Sequence, residues 1–192
     1  MARLIAFAGL SAAPWKNGAG GSTEIAVFPP GAGWACFDWR LSVAAIAASG
    51  PFSVFAGFDR SLALLECAGA GLALTIDGAP HMVDPATPHV SFAGEAAVRA
   101  EVAGPSLDFN VMTRRQRYRH QLASVALPAR VTTEGTVALF LAAGPAARLR
   151  RGQHSVSLAR HDTLLLGEAD AGCWECEGAP GARLLVVRIV AL

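Results

Sequence analysis

Charge is scarce in this chain: 16% of its 192 residues are charged, and 16 basic against 15 acidic side chains leave a formal charge of +1. So even a balance offers no basic patch or stripe for nucleic acid. Lysine is scarcer still, with Lys16 the single one beside fifteen arginines. Long apolar runs are missing as well. The 18 uncharged residues between Arg40 and Asp59 come nearest to a membrane span, yet Ser42, Ser49, Gly50, Pro51, Ser53 and Gly57 interrupt them. Gly50-Pro51 is turn chemistry, so the interval reads as two buried strands rather than a helix. Residues 1–13 carry one arginine, Arg3, ahead of an apolar stretch. With so little positive charge they read as a strand over 3–7 and a turn, not as a secretory leader. The expectation is a cytoplasmic protein that engages neither membrane nor nucleic acid.

Four cysteines in a chain with this much apolar mass do not make a disulfide framework. Cys36 and Cys67 lie in apolar strand patterns and are expected to be buried thiols. Cys173 and Cys176 form a CxxC, but Glu175 and Glu177 oppose the thiolate that redox chemistry needs. A zinc site would want two more ligands; His154 and His161 match no established spacing. In a strand, moreover, positions 173 and 176 point to opposite faces.

What the chain has in quantity is apolar mass, 53% of its residues, punctuated by 20 glycines and 11 prolines. That combination suits many short strands joined by tight turns. Strands are expected over 24–28, 35–44, 62–66, 72–76, 97–102, 107–112, 137–141, 154–158, 163–166 and 182–190. No stretch sustains helical periodicity beyond about two turns. Residues 114–122, the most polar run, read as a linker or short helix between halves. An internal echo recurs at a spacing of about 75 residues. Leu62-Ala-Leu-Leu-Glu-Cys-Ala-Gly69 answers Val137-Ala-Leu-Phe-Leu-Ala-Ala-Gly144. Each is followed by a strand, a glycine turn at Asp77-Gly78 or Arg151-Gly152, a loop with Phe92 or Leu166, and a final strand. The echo implies an all-β chain of two similar barrels or sandwiches in tandem, with short helices only; the units are expected over residues 1–118 and 119–192.

The same rhythm resembles the cupin barrel, whose metal is usually held by an HxH pair, a downstream Glu and a later His. The five histidines here, His81, His89, His120, His154 and His161, form no HxH pair, and no Glu follows at the right distance. His81 falls in an expected turn and His89 in a proline-flanked loop. No metal and no other cofactor is expected.

The polar residues with chemical promise lie in the first half. Trp15-Lys16-Asn17-Gly18-Ala19-Gly20-Gly21-Ser22-Thr23-Glu24-Ile25 sets a glycine-rich loop directly before a strand. A phosphate-binding loop runs from a strand into a helix with its lysine after the glycines, the reverse of this order. The plainer alternative is a tight turn whose glycines supply positive φ. Over 38–44, alternation sends Asp38, Arg40 and Ser42 to one face; over 108–112 it groups Asp108, Asn110 and Met112. Such a polar row faces solvent or, in a small barrel, lines the cavity. Asp59-Arg60, after the turn 55–58, either form a local ion pair of little consequence or set a guanidinium at that cavity's floor or mouth. Arginine forks a carboxylate bidentately, so a buried Arg60 near Asn and Asp suits a small acid.

Five motifs carry a family resemblance: Trp-Lys-Asn-Gly-x-Gly (15–20), Thr-Glu-Ile (23–25), Trp-Arg-x-Ser (39–42), Gly-Pro-Phe-Ser-x-Phe-x-Gly-x-Asp-Arg (50–60) and Asp-Phe-Asn-x-Met-x-Arg (108–114). In this order they resemble the HutD/Ves family over about residues 1–115, while the second half is similar only in its β-rich character. The resemblance implies a bicupin fold that lacks the metal ligands. It also implies a sensing or regulatory role in bacterial histidine utilisation, toward an intermediate such as N-formylglutamate. Ser22 stands where the family usually has threonine, keeping a hydroxyl, and Ala56 stands for a proline. Neither departure removes a charged group.

Together these readings place a small carboxylate in the first barrel. Arg60 would clamp it, with Arg40 as a second cation. Asn17, Glu24 and Asn110 would hydrogen-bond its amide or formyl portion, and Asp59 and Asp108 would orient the basic groups. Trp15, Phe55 and Met112 would supply apolar walls, with Lys16 beside them. The alternative is a metal-independent hydrolase or isomerase, with Glu24 or Asp108 as general base and Lys16 as acid or electrophile. A further expectation is that the second barrel serves as a surface for a partner, such as a second copy in a homodimer, through an apolar outer face over 182–192.

Overall fold

The computed structural model describes residues 2–15 and 18–192. Along the chain the strands are β1 (Arg3–Ile5), β2 (Ala12–Pro14), β3 (Gly20–Phe28), β4 (Trp39–Ile46), β5 (Gly50–Pro51), β6 (Phe58–Glu66), β7 (Leu72–Ile76), β8 (Ala79–Val83), β9 (His89–Ala93) and β10 (Val98–Glu101). They continue as β11 (Ser106–Arg114), β12 (Tyr118–Ala126), β13 (Ala129–Thr133), β14 (Thr136–Ala143), β15 (Ala146–Arg151), β16 (His154–Ala159), β17 (Thr163–Leu166), β18 (Gly172–Gly178) and β19 (Arg183–Ala191). Single turns of 3-10 helix, Phe7–Gly9 and Glu168–Asp170, are the only helical elements among the described residues. None is long and apolar enough to cross a membrane.

The strands build two units. Ser11–Arg119, with Leu192, forms the first; Met1–Leu10 joins His120–Ala191 in the second. In the first, a six-stranded sheet β2-β3-β4-β11-β6-β9 accompanies a four-stranded sheet β5-β10-β7-β8. In the second, β1-β17-β14-β19-β12 accompanies β13-β18-β15-β16. The internal echo is therefore topological. The order β4-β11-β6-β9 returns as β12-β19-β14-β17, and β5-β10-β7-β8 as β13-β18-β15-β16. Gly69 and Gly144, the matched ends of the echo, both take positive φ, at 110° and 94°. Glycine reaches that region without a Cβ penalty.

Several expectations need correcting. Residues 1–10 do not belong with the first barrel: β1 pairs with β17, Arg3 opposite Leu165 and Ile5 opposite Thr163. Residues 114–122 are neither linker nor helix, because β11 runs to Arg114, a tight turn closes with Arg117 N–H on Arg114 O at 2.9 Å, and β12 starts at Tyr118. The arginines there make ion pairs, Arg114 and Arg117 with Asp38 and Arg115 with Asp59. Cys36 is exposed and Cys67 half-buried, since the strand expected over 35–44 begins only at Trp39, after a turn. His81 lies within β8 and His89 opens β9, both paired into sheets. Cys173 is exposed and Cys176 buried, as strand alternation demands. On β19, Leu184–Val187 are all buried; Val190 is exposed, as is Leu192 just past the strand's end.

The two interiors differ. That of the second unit is largely apolar, with Val137, Leu139 and Leu141 of β14 packed with Leu149, Leu158, Leu164, Trp174, Leu184 and Val186. In the first unit, Ile46 and Leu62 of the larger sheet pack with Leu72, Leu74, Ile76, Val98 and Ala100 of the smaller, and that cluster covers only part of the interior. The edge of this core is set by Gly20. A Cβ there would lie 2.1 Å from the Ala45 carbonyl oxygen and 2.9 Å from the Trp15 ring. A backbone carbonyl in a paired strand cannot step aside as a flexible side chain can. Gly20→Ala is therefore expected to lose about 2 kcal/mol or more of stability, read from the midpoint of a urea unfolding curve; an unchanged midpoint contradicts this packing.

Candidate functional site

Cross-strand register brings the polar residues of distant segments onto one face. One row across the larger sheet of the first unit runs Val27, Arg40, Met112, Arg60, Phe92. The next runs Glu24, Ser42, Asn110, Leu62, Val90, and the next Ser22, Ala44, Asp108, Leu64. Directly opposed residues in a sheet share a face, and this one carries Ile46 and Leu62, whose partners are the strands of the smaller sheet. The polar row therefore lines the barrel interior. Between Glu24 and Ala26 the register slips by a bulge, which puts both Glu24 and Val27 on this face.

Arg60 sits at the centre, 8% exposed. Its guanidinium carbon lies 5.1 Å from the Phe92 ring centroid, 5.3 Å from Phe55 and 5.5 Å from Phe52. Nη1 donates to the Ser53 carbonyl at 3.2 Å and Nη2 to Asn110 Oδ1 at 3.4 Å, while Nε has no partner. Burial pulls its pKa down to about 10, with the Asp108 charge opposing, so it remains a cation at neutral pH. Asp108 is 1% exposed. Its Oδ2 accepts from Asn110 Nδ2, and its Oδ1 has no partner. Burial pushes this carboxyl up to about 7, against the pull of the Asn110 hydrogen bond and of Arg60. Buried polar atoms without partners are rare in native folds and mark a place for water or a ligand.

Arg40 is the second buried guanidinium, 6% exposed. Nε donates to Glu24 Oε2 and Nη1 to Ser42 Oγ, each at 2.9 Å. The Trp34 ring covers it at 4.4 Å and stacks on Phe55 at 5.6 Å, so one aromatic wall spans both cations. Trp34 is 58% exposed and marks the rim. Met112, between the arginines, packs with Phe37 and Phe58 and against Phe55. Trp15 closes the other end, donating from Nε1 to Ser22 Oγ at 2.8 Å.

Of the residues expected at the site, Glu24, Arg40, Arg60, Asp108, Asn110 and Met112 share this face, with Trp15 and Phe55 beside it. Lys16 and Asn17 lie outside the described residues. Asp59 points the other way, as the neighbour of an inward residue in a strand must. It accepts from Arg115 Nε at 2.7 Å, and Arg115 also forks Glu95 at 2.7 and 3.0 Å. That fork draws the Glu95 carboxyl down to about 2 and raises the Arg115 guanidinium. Asp59 and Arg60 thus make no local pair. Asp38, ahead of β4, is held by Arg114 and Arg117 at 3.2 Å each. Sequence reasoning missed Phe52, the Ser53 carbonyl, Phe92 and Trp34. The first two lie inside the motif over 50–60; Phe92 required the β6–β9 register and Trp34 the loop's path. Open hollows of about 320 and 360 Å³ lie elsewhere, one by Thr75, His81 and Glu101, the other by Arg130 and Glu175. Among the described residues no three His, Cys, Asp or Glu side chains are placed to hold a metal ion.

Two similar β units in tandem, one with a charged interior, define a bicupin. The fold is shared with salicylate 1,2-dioxygenase of Pseudoaminobacter salicylatoxidans, at a TM-score of 0.62, 7% identity, and coverage of 100% of this chain and 85% of that one. The chain belongs to the HutD family, which it matches over residues 8–185, so the likeness extends well into the second barrel. It is 38% identical over 157 residues to the "Uncharacterized 21.2 kDa protein in hutC 3'region" of Pseudomonas putida, covering 80% of each chain. To Protein Ves of Cronobacter sakazakii it is 38% identical over 174 residues, 89% of this chain and 85% of that one. HutD of Pseudomonas fluorescens, solved under a formate condition, superposes with a TM-score of 0.83 over the whole of both chains at 28% identity.

Asp108 gives a stability signature. Its folded pKa of about 7 stands above the value of about 3.9 for an unfolded aspartate. The folded state therefore binds this proton more tightly, and stability from Asp108 is lost as pH rises from about 4 to about 7, then levels off. Asp108→Asn escapes that loss. Its stability relative to wild type, from unfolding curves at successive pH values, is expected to climb by a few kcal/mol, in order of magnitude, over that window. A flat difference contradicts the burial of an ionisable carboxyl.

Proposed function

We propose that this chain is a receptor for a small carboxylate, seated on Arg60 in the first barrel, and that it acts in the cytoplasm as a sensor in histidine utilisation. The observation that carries the reading is the Arg60 guanidinium, buried among Phe52, Phe55 and Phe92 with its Nε unpartnered. A buried cation lacking a full set of acceptors is a site for a charge-assisted hydrogen bond to an anion. The aromatic wall gives the ligand an apolar flank, and Asn110 and Glu24 offer hydrogen bonds to its amide portion. The formate condition of the Pseudomonas fluorescens HutD structure fits an acid of this size, and the hutC neighbourhood of the Pseudomonas putida relative fits the pathway. N-formylglutamate, with two carboxylates and a formyl group, meets both, one carboxylate being the group seated on Arg60. Calorimetry with formate, N-formylglutamate, glutamate and urocanate tests the reading. At least one is expected to bind wild type, and Arg60→Ala to weaken that binding by about tenfold to a hundredfold. No heat with any of the four overturns it.

A hydrolase or isomerase reading draws on one observation, the near-neutral Asp108 carboxyl, which suits a general base. Glu24, the other candidate, is taken up by Arg40. Turnover of N-formylglutamate after exhaustive chelation, abolished in Asp108→Asn while binding persists, would establish catalysis; binding without turnover leaves a receptor.

A further inference from the structure

No direct hydrogen bond joins Arg60 and Asp108. Asn110 stands between them, accepting from Arg60 through Oδ1 and donating to Asp108 through Nδ2. Each end of this bridge leaves one atom over, Arg60 Nε and Asp108 Oδ1, both buried and without a partner. Few other charges reach this place. Among the described residues, β4 contributes Arg40, β6 contributes Arg60 and β3 contributes Glu24. The facing strands β7 and β10 present Leu72, Leu74, Ile76, Val98 and Ala100. Arg40 has Nε and Nη1 committed to Glu24 and Ser42, which leaves Arg60 as the guanidinium with no carboxylate bonded to it and Asp108 as its counter-charge.

One buried guanidinium cannot satisfy two negative charges in surroundings this apolar. Like charges sharing a site force one of them to take a proton. An anion arriving on Arg60 meets Asp108 as a competitor for the same cation, and the competitor can leave without moving by being protonated. Resting on the carboxylate-receptor reading, we propose that Asp108 couples ligand binding to proton uptake: a carboxylate seated on Arg60 drives Asp108 to take one proton from solvent onto Oδ1, so that anion and proton enter together. The balance is simple. One anion and one proton bind, no covalent bond changes, and the net charge of the barrel interior is unchanged. With the carboxyl already near neutrality in the empty site, the added cost is small.

Calorimetry with formate, which stays ionised throughout the range, tests this in the full-length chain. Titrations in two buffers of different ionisation enthalpy give the protons taken up per anion bound. At pH 8, where Asp108 starts largely ionised, uptake is expected to approach one; at pH 5.5, where it is already protonated, uptake is expected near zero. Correspondingly, affinity should fall by about tenfold per pH unit above pH 7 when one full proton is linked. Asp108→Asn is expected to bind formate with an affinity that no longer changes with pH. Formate binding to wild type at pH 8 without proton uptake overturns this proposal and leaves the receptor reading intact. Absence of formate binding at both pH values overturns the proposal outright. If the other three acids fail as well, the receptor reading falls with it. The wild-type uptake decides the matter even if the variant does not fold.

Discussion

A positive charge held inside an apolar barrel is the constraint around which the first unit is arranged. Moving a guanidinium out of water is costly unless its donors are satisfied and a negative charge stands near. Arg40 meets both conditions through Glu24 and Ser42. Arg60 meets them incompletely, with one backbone carbonyl, one amide oxygen, three aromatic rings and a carboxyl reached through Asn110. The faces of aromatic rings attract a cation and replace part of its hydration, although they do not accept every N–H. The remaining deficit at Nε is the reason the proposed receptor site is placed on this side chain.

The contrast between the two units shows how one repeated frame carries two different interiors. Both carry the same sheet order, strand for strand, over eight of their strands. In the second unit the inward positions are leucine, valine and tryptophan, and the interior is an apolar core. In the first, the same kind of surface is given over to Arg40, Ser42, Arg60, Asp108 and Asn110, all buried. Burying that row costs stability that a filled core would have supplied, which is a frequent mark of a working site. A shared fold with a dioxygenase carries none of this, because chemistry belongs to the side chains and not to the frame.

The arginine-rich turn after β11 illustrates how outer charges support an interior. Arg114 donates to the Phe37 carbonyl at 2.8 Å and pairs with Asp38, and its guanidinium lies 4.8 Å over Phe58. Arg115 donates to the Phe58 carbonyl at 3.0 Å and holds Asp59 and Glu95. These contacts pin the segments that carry Trp34 and Phe55, the aromatic wall over both cations. Each exposed pair is worth little alone. Several of them converging on one loop and one strand end fix the position of side chains that never touch them.

Alternation and punctuation by themselves determined the all-β class, the tandem division, and the grouping of Arg40 with Ser42 and of Asp108 with Asn110 and Met112. A period of two is a property of the extended backbone and needs no partner strand. The motif over 50–60 likewise singled out Arg60 and Phe55. Only the tertiary structure decided that β1 crosses to the second unit, that the polar run after β11 is an ion-paired turn, and that Asp59 faces away while Phe92 and Trp34 close on the guanidiniums. Those facts depend on register between strands far apart in the chain and on the path of a loop. A one-residue slip would turn every side chain to the opposite face, and no local pattern records which register the folded sheet adopts.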